Sequence, residues 1–351
     1  MKLDPILAQS IVDRMMESIP YNINMMNEHG YIIASGDKKR INTLHVGAVD
    51  AIAKSETLPM IQSYGTHGQP GVNIPVQFQN QTIGVIGITG DPDKVTPLAS
   101  LLKISTELLL TQSYNNQMET QHKNRLNRFL YQWTEVMENI ETQIELNIEA
   151  KLLQVDLTIK RYAIVVETND ISLFSIKTTD YTLALSPHST VIITASDNAM
   201  KTYLKKARTK HIPTGIGNKT TLLGKSVKQA QNTIRVTQIF NFHDTNFYHQ
   251  ISFIDNILST NLSSSKTIEK FNTLYQTDSG RELIDTLSCY FEQNGSVTET
   301  SEQLHIHRNT TNYRLNKISE YFDLDLHILD ETFKLYVNYI FFQELVYKRT
   351  H

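Results

Sequence analysis

The side chains best placed to do chemistry lie in the run SVTETSEQLHIHRNTTNYRLNKISEY, from Ser296 to Tyr321. Val297 to Leu304 is long enough for a helix of about two turns. Leu304 and Ile306 then turn inward around a tight connection. A second helix begins near Asn309 and keeps Tyr313 or Arg314, Leu315 and Ile318 in phase. Two short helices joined by a turn of about three or four residues form a helix-turn-helix. Its expected core is Val297, Ser301, Leu304, Ile306, Leu315 and Ile318, with Ser301 small where the helices cross. The second helix carries Arg308, Arg314 and Lys317 and no acid before Glu320. Asn309, Thr310 and Asn312 fall in its first turn, where amides and hydroxyls reach base edges and free N–H groups can hold a phosphate. The competing reading is a solvated face on a three-helix packing unit.

Other chemistries find no footing. The lone cysteine, Cys289, sits in the apolar run LSCYF and reads as core rather than nucleophile. His305 and His307 are two apart with no third ligand nearby, and there is no HExxH or GxSxG. Gly215-Ile216-Gly217 lacks the third glycine of a dinucleotide loop and is not a P-loop. No enzyme activity, cofactor or metal is expected.

The chain has 351 residues, enough for more than one core, with 33 Lys and Arg against 36 Asp and Glu. The net charge of −3 excludes a protein that coats nucleic acid by bulk charge but permits a local basic element. One cysteine excludes an internal disulfide and fits a reducing compartment. No apolar run approaches the ~20 residues of a membrane span, and the amphipathic N-terminus has no signal core. A cytoplasmic, multidomain chain is predicted.

Four segments follow. In 1–95, apolar spacing predicts a helix over 4–19 ended by Pro20, a hairpin of Asn22–Met26 with Tyr31–Ser35, a helix over Asn42–Lys54, and a second hairpin from Val72–Phe78 and Thr82–Thr89. Pro75 makes its strand an edge or a bulge. The pattern is a small antiparallel sheet with helices to one side, of the PAS or Cache kind, which holds a small ligand. Residues 96–148 read as one long linker or dimerisation helix, or two, with stripes at Leu98–Leu109 and Leu126–Ile140. Residues 149–264 are α+β, and 265–351 all helix.

The run LHIHRNT, then Tyr313-Arg314-Leu315 and Ile318, closely resembles the C-terminal helix-turn-helix of the PucR/CdaR regulators. The resemblance implies DNA contacts from His307, Arg308, Asn309, Thr310, Asn312, Tyr313, Arg314 and Lys317. Thr311 and Asn312 depart from the apolar and basic residues usual there, and Asp323 from a helix-ending glycine. Residues 3–112 resemble the sugar-diacid recognition domain of the same regulators through LDPILAQSIVDRMME, YNINMMNEHGYIIASGD, RINTLHVGA, PGVNIPVQF and GVIGITGDP. The segment Glu56–Gly68 departs from it. The region around Thr214–Asn218, Leu223, Ser226, Ala230 and Gln231 resembles the degenerate GGDEF-like domain of these proteins; the candidate hairpin Leu185–Ser189 lacks the acids and glycine pair of a cyclase.

A diacid or hydroxy acid needs cationic and N–H donors for carboxylates and mixed partners for hydroxyls. Arg40 and His45 suit the first need; Ser35, Asn73 and Thr89 suit the second; Gly71, Gly87 and Gly90 let a ligand approach the backbone. The resemblance thus implies an effector-responsive, dimeric or higher-order transcription regulator, an activator of sugar-diacid or glycerate genes. Its partners would be operator DNA and glucarate, galactarate or glycerate, with no membrane. The alternative is a metabolite-sensing module that acts through a protein partner without binding DNA.

Overall fold

A computed structural model describes residues 3–350, Thr66 through its backbone only. The chain divides between Arg125 and Leu126 into two compact units.

In the first unit, Asp4 caps α1 (Pro5–Met16) by accepting from the Ile6 and Leu7 N–H groups, so the helix is shorter at both ends than the apolar spacing predicts. β1 (Ile23–Asn27) and β2 (Ile32–Ser35) form the first hairpin. α2 spans Val46–Lys54, four residues later than expected, because Lys38–Arg40 folds as a 3-10 turn and Asn42 takes φ 69°. β3 (Leu58–Met60) was not legible in the sequence. β4 (Gly71–Phe78) and β5 (Gln81–Thr89) complete an antiparallel sheet of order β2-β1-β5-β4-β3. β3 covers β4 only as far as Asn73, so Pro75 lies where no ladder donor is needed, beside a bulge at Val76/Gln77.

One face of this sheet packs Ile23, Met25, Val72, Ile74 and Ile86 on Ala8, Ile11 and Val12 of α1 and on Val95, Ala99 and Leu102 of α3 (Pro92–Thr134). The other face packs Met26 and Val85 on Ala48 and Ala51 of α2, so helices cover both faces of the sheet and not one side as the pattern predicts.

α3 ends at Thr134, and a second, short helix, α4 (Ile144–Leu152), follows. The last turns of α3 supply Phe129, Leu130 and Trp133, each 1 % exposed, to the core of the second unit. The compact division therefore falls inside α3, away from the boundaries expected at 95 and 148.

The second unit contains an antiparallel sheet of order β7-β8-β6-β9, built from β6 (Tyr162–Val166), β7 (Tyr181–Ser186), β8 (Ser189–Thr194) and β9 (Thr214–Ile216). α5 (Asp197–Thr209) and α6 (Leu223–Phe240) pack on it. Gly215 and Gly217 let β9 approach α6, since a Cβ at either would sit 2.0 Å or less from a backbone oxygen of that helix. α7 (Tyr248–Leu258) leads to the helices α8 (Ser265–Tyr275), α9 (Asp278–Glu292), α10 (Val297–Gln303), α11 (Arg308–Phe322) and α12 (Leu329–Thr350). Phe271, Leu315, Ile318, Phe322 and Phe342 form their core. Arg235 of α6 reaches Asp255 of α7 and Glu344 of α12, both at 3.4 Å.

α11 ends on Asp323, which takes the left-handed conformation at φ 59° while the Leu324 N–H bonds back to the Ser319 carbonyl. Asp tolerates this geometry better than most residues, and Gly better still. Asp323→Gly should stabilise the second unit by about 0.5–1 kcal/mol and Asp323→Val should destabilise it by a similar amount, read from denaturant midpoints.

Candidate functional site

A polar row crosses the α2 face of the first sheet. Ser35 pairs with Asn24, Asn24 with Gly87, and Gly87 with Asn73, so the four residues share one face. Asn24, Ser35 and Asn73 are each 2 % exposed or less. Ser35 Oγ donates to Asn24 Oδ1 at 2.7 Å, and Asn22 Nδ2 donates to the same oxygen at 3.1 Å. Gly87 keeps the middle of the row open: a Cβ there would lie 3.0 Å from Asn73 Oδ1.

Arg40 and His45 are also buried in this unit. His45 is the N-cap of α2 rather than a residue on the helix, and its side chain leaves the helix start uncapped. Gly47, in the first turn, brings α2 against the row; a Cβ there would lie 2.5 Å from Asn73 Nδ2. Burial lowers the Arg40 pKa, opposed by the charge of Asp37. Burial, and then the Arg40 charge, push His45 down to about 4, so its imidazole is neutral at pH 7. Among the described residues, seven buried side-chain polar atoms lack a partner, and four of them are Arg40 Nε, Arg40 Nη2, His45 Nδ1 and Asn73 Oδ1. An orphaned buried donor or acceptor costs about 1–3 kcal/mol, and a charged one more. The arrangement can satisfy an anion that also carries hydroxyls.

Asn24 was missed in the sequence, where only its polarity within Ile23–Met26 marked it. Gly71 and Thr89 pair one step along the same face. Gly71 is needed for packing, as a Cβ would lie 2.1 Å from the Ile88 carbonyl oxygen. Gly90 is not brought to the row: at φ 152° its open side meets Val95 and Tyr21 instead.

In the second unit, α10 and α11 are joined through Leu304–His307, with His305 at φ 53°. Ser296 caps α10 and His307 caps α11, its Nδ1 accepting from the Asn309 N–H at 3.2 Å. Ser301 Oγ and Thr311 Oγ1 bond at 2.8 Å where the helices cross, and Thr311 is fully buried. The departure at 311 is therefore a core position with a polar partner.

His307, Arg308, Asn309, Thr310, Asn312, Tyr313 and Lys317 are all exposed. Lys317 Nζ lies 5.0 Å over the Tyr313 ring. Asn316, missed in the sequence, is exposed on the same side of α11, four residues after Asn312. Arg314 departs from the expected stripe. Its Nη2 bonds Glu282 Oε2 at 2.6 Å and its Nη1 bonds Thr286 Oγ1 at 3.3 Å, which ties α11 to α9.

Residues 3–133 match the family described as "Putative sugar diacid recognition", and residues 283–340 match the PucR C-terminal helix-turn-helix domain. The chain is 28 % identical to an uncharacterized protein of Haemophilus influenzae, covering 96 % of this chain and 98 % of that one. It is 26 % identical to the carbohydrate diacid regulator of Escherichia coli, covering 95 % and 97 %. The DNA-binding transcriptional activator AdeR of Bacillus subtilis is 24 % identical over 35 % of this chain and 31 % of its own. These likenesses bear out the resemblance read from the sequence and are those of a DNA-binding transcriptional regulator, not an enzyme. Among the described residues no helix is long and apolar enough to cross a membrane.

His45 generates a pH test. Its folded pKa lies below the ordinary value of 6.5, so its neutral form favours the fold. That contribution is complete above pH 6.5 and is lost as pH falls towards 4. The first unit should lose on the order of 2–3 kcal/mol over this window through His45. His45→Asn should flatten that limb in a series of chemical denaturation curves.

Proposed function

Because the chain is similar over its length to a carbohydrate diacid regulator and carries a PucR-type helix-turn-helix, we propose that it is an effector-responsive activator of sugar-diacid or glycerate utilisation genes. The observation that carries the effector half is that Arg40, His45 within reach of its charge, and Asn73 against the first turn of α2 each keep buried polar atoms without a partner. A carboxylate of glycerate, glucarate or galactarate would take the free edge of the Arg40 guanidinium and the uncapped start of α2. Its hydroxyls would meet His45 Nδ1, Asn73 and the Asn24–Ser35 pair. Thr89 lies next along this face and would border longer acids.

The strand order β2-β1-β5-β4-β3, with α2 laid over the polar row, supports a PAS or Cache-like sensor. The order β7-β8-β6-β9 and the acid-free turn at Pro187-His188 support a degenerate GGDEF-like middle domain without cyclase chemistry. α3 contributes to both hydrophobic cores, which suits it to carry the effector signal. Binding acts by population shift, since the ligand must favour one arrangement through differential contacts.

Operator DNA would meet the first turns and outer face of α11. Arg308 and Lys317 would pair with phosphates, and Asn309, Thr310, Asn312 and Asn316 would read base edges. His307 sets the helix start, and Tyr313 shields the Lys317 stem. One such helix spans too few base pairs for specificity, so the protein works as a homodimer on a two-fold site in the cytoplasm.

The test uses a duplex selected by the protein from a random pool. Each of the three acids is added in turn. One acid should change duplex affinity, and Arg40→Gln should remove that response while leaving basal affinity intact. Lys317→Ala should lower the slope of log K against log salt by about one. A flat salt dependence in the wild type would instead support action through a protein partner.

A further inference from the structure

A cavity of about 680 Å³ lies where α6 ends, against α9 and α12. The functions above make no use of it. Its walls include Phe240, Phe242, Phe291, Tyr336 and Tyr339. Phe240 and Phe242 stack at 5.5 Å, and Phe291 meets Tyr336 edge-on at 4.8 Å. The Tyr339 hydroxyl is fixed by donating to Ser288 Oγ at 2.7 Å and accepting from Gln343 Nε2 at 2.8 Å. The rings are thus held apart by packing and hydrogen bonds rather than free to collapse inward.

Glu292 stands on the rim. It is exposed, accepts from Ser288 Oγ at 3.3 Å, and has no cationic partner among the described residues. Burial raises the pKa of Tyr336 and Tyr339, and the charge of Glu292 adds to both shifts. The cation–ring contacts of the described residues fall on other rings. Aromatic faces carry negative potential, and a carboxylate adds a full charge. No lysine or arginine lines this cavity among the described residues, and His243 is its one basic side chain.

We propose that this cavity is a second ligand site, which takes a small organic cation of the quaternary ammonium or guanidinium class with its charge between the rings and Glu292. The volume is in the range of small-molecule sites. Of the polar groups at its edge, Ser288 and Gln343 are already engaged with Tyr339, which leaves Asn241, His243 and the Glu292 carboxylate to meet a ligand, and of these Glu292 carries the charge that would select a cation. The occupant would touch α6 of the sheet-bearing half and α9 and α12 of the helical half together.

The probes are choline, methylguanidinium, and 3,3-dimethylbutanol, the uncharged analogue of choline, titrated calorimetrically into the intact protein. At least one cation should bind saturably, and the uncharged analogue should bind at least about tenfold more weakly. Glu292→Gln should weaken the cation about tenfold, and His243→Glu, which adds a second carboxylate to the rim, should strengthen it. Both substitutions are at exposed positions, and melting curves verify the fold. Absence of saturable binding by either cation, equal affinity for the uncharged analogue, or indifference to Glu292→Gln would each overturn the site. None of these outcomes depends on the effector pocket in the first unit.

Discussion

Arg40 is 8 % exposed, and two of its guanidinium nitrogens lack a partner, although the charge of Asp37 is within range. A buried cation in this state is expensive, and the effective penalty in proteins is several kcal/mol for an unpaired ion. Three other features of the unit bear on that charge. His45 is held neutral beside it, α2 presents an uncapped start, and the sheet offers amides and a hydroxyl in one row. Each alone has an ordinary structural explanation. Together they support the proposed effector site, where a hydroxylated anion would meet groups that folding leaves unpaired.

The helix-turn-helix obeys a different constraint, which is close approach. Ser301 and Thr311 are both small enough for α10 and α11 to cross, and their hydroxyls satisfy one another there. Arg314 then fixes the roll of α11 by holding Glu282 and Thr286 on α9. With those two attachments made, the first turns of α11 and the Arg308–Lys317 side face water. In the proposed interface a basic residue on this helix would therefore serve by contact or by orientation, and the bonds of Arg314 to α9 suit it to the second.

Much of this was legible from residue types. Helix α11, its inward Leu315 and Ile318, and the left-handed stop at Asp323 follow from spacing and local sterics, and these are short-range properties. The second hairpin followed from clean alternation. β3 was not legible because a three-residue strand containing Pro59 has no period to detect. The start of α2 was misjudged because the 3-10 turn at Lys38–Arg40 consumes residues that a helical pattern would otherwise claim. At the candidate site, Arg40, His45 and Asn73 were found by chemical type, whereas Asn24 needed the strand register that pairs it with Gly87. Gly90 and Arg314 have structural neighbours that the sequence did not reveal, Val95 and Tyr21 for one and Glu282 for the other, because only the folded chain brings them together.

The most direct measurement is calorimetric titration of glycerate, glucarate and galactarate into the wild-type protein and into Arg40→Gln. The account predicts saturable binding of at least one acid to the wild type and its loss in the variant, with the variant's fold intact by melting. Binding that survives Arg40→Gln unchanged would contradict the assignment of the buried guanidinium as the effector's anchor. So would the absence of binding by all three acids at millimolar concentration.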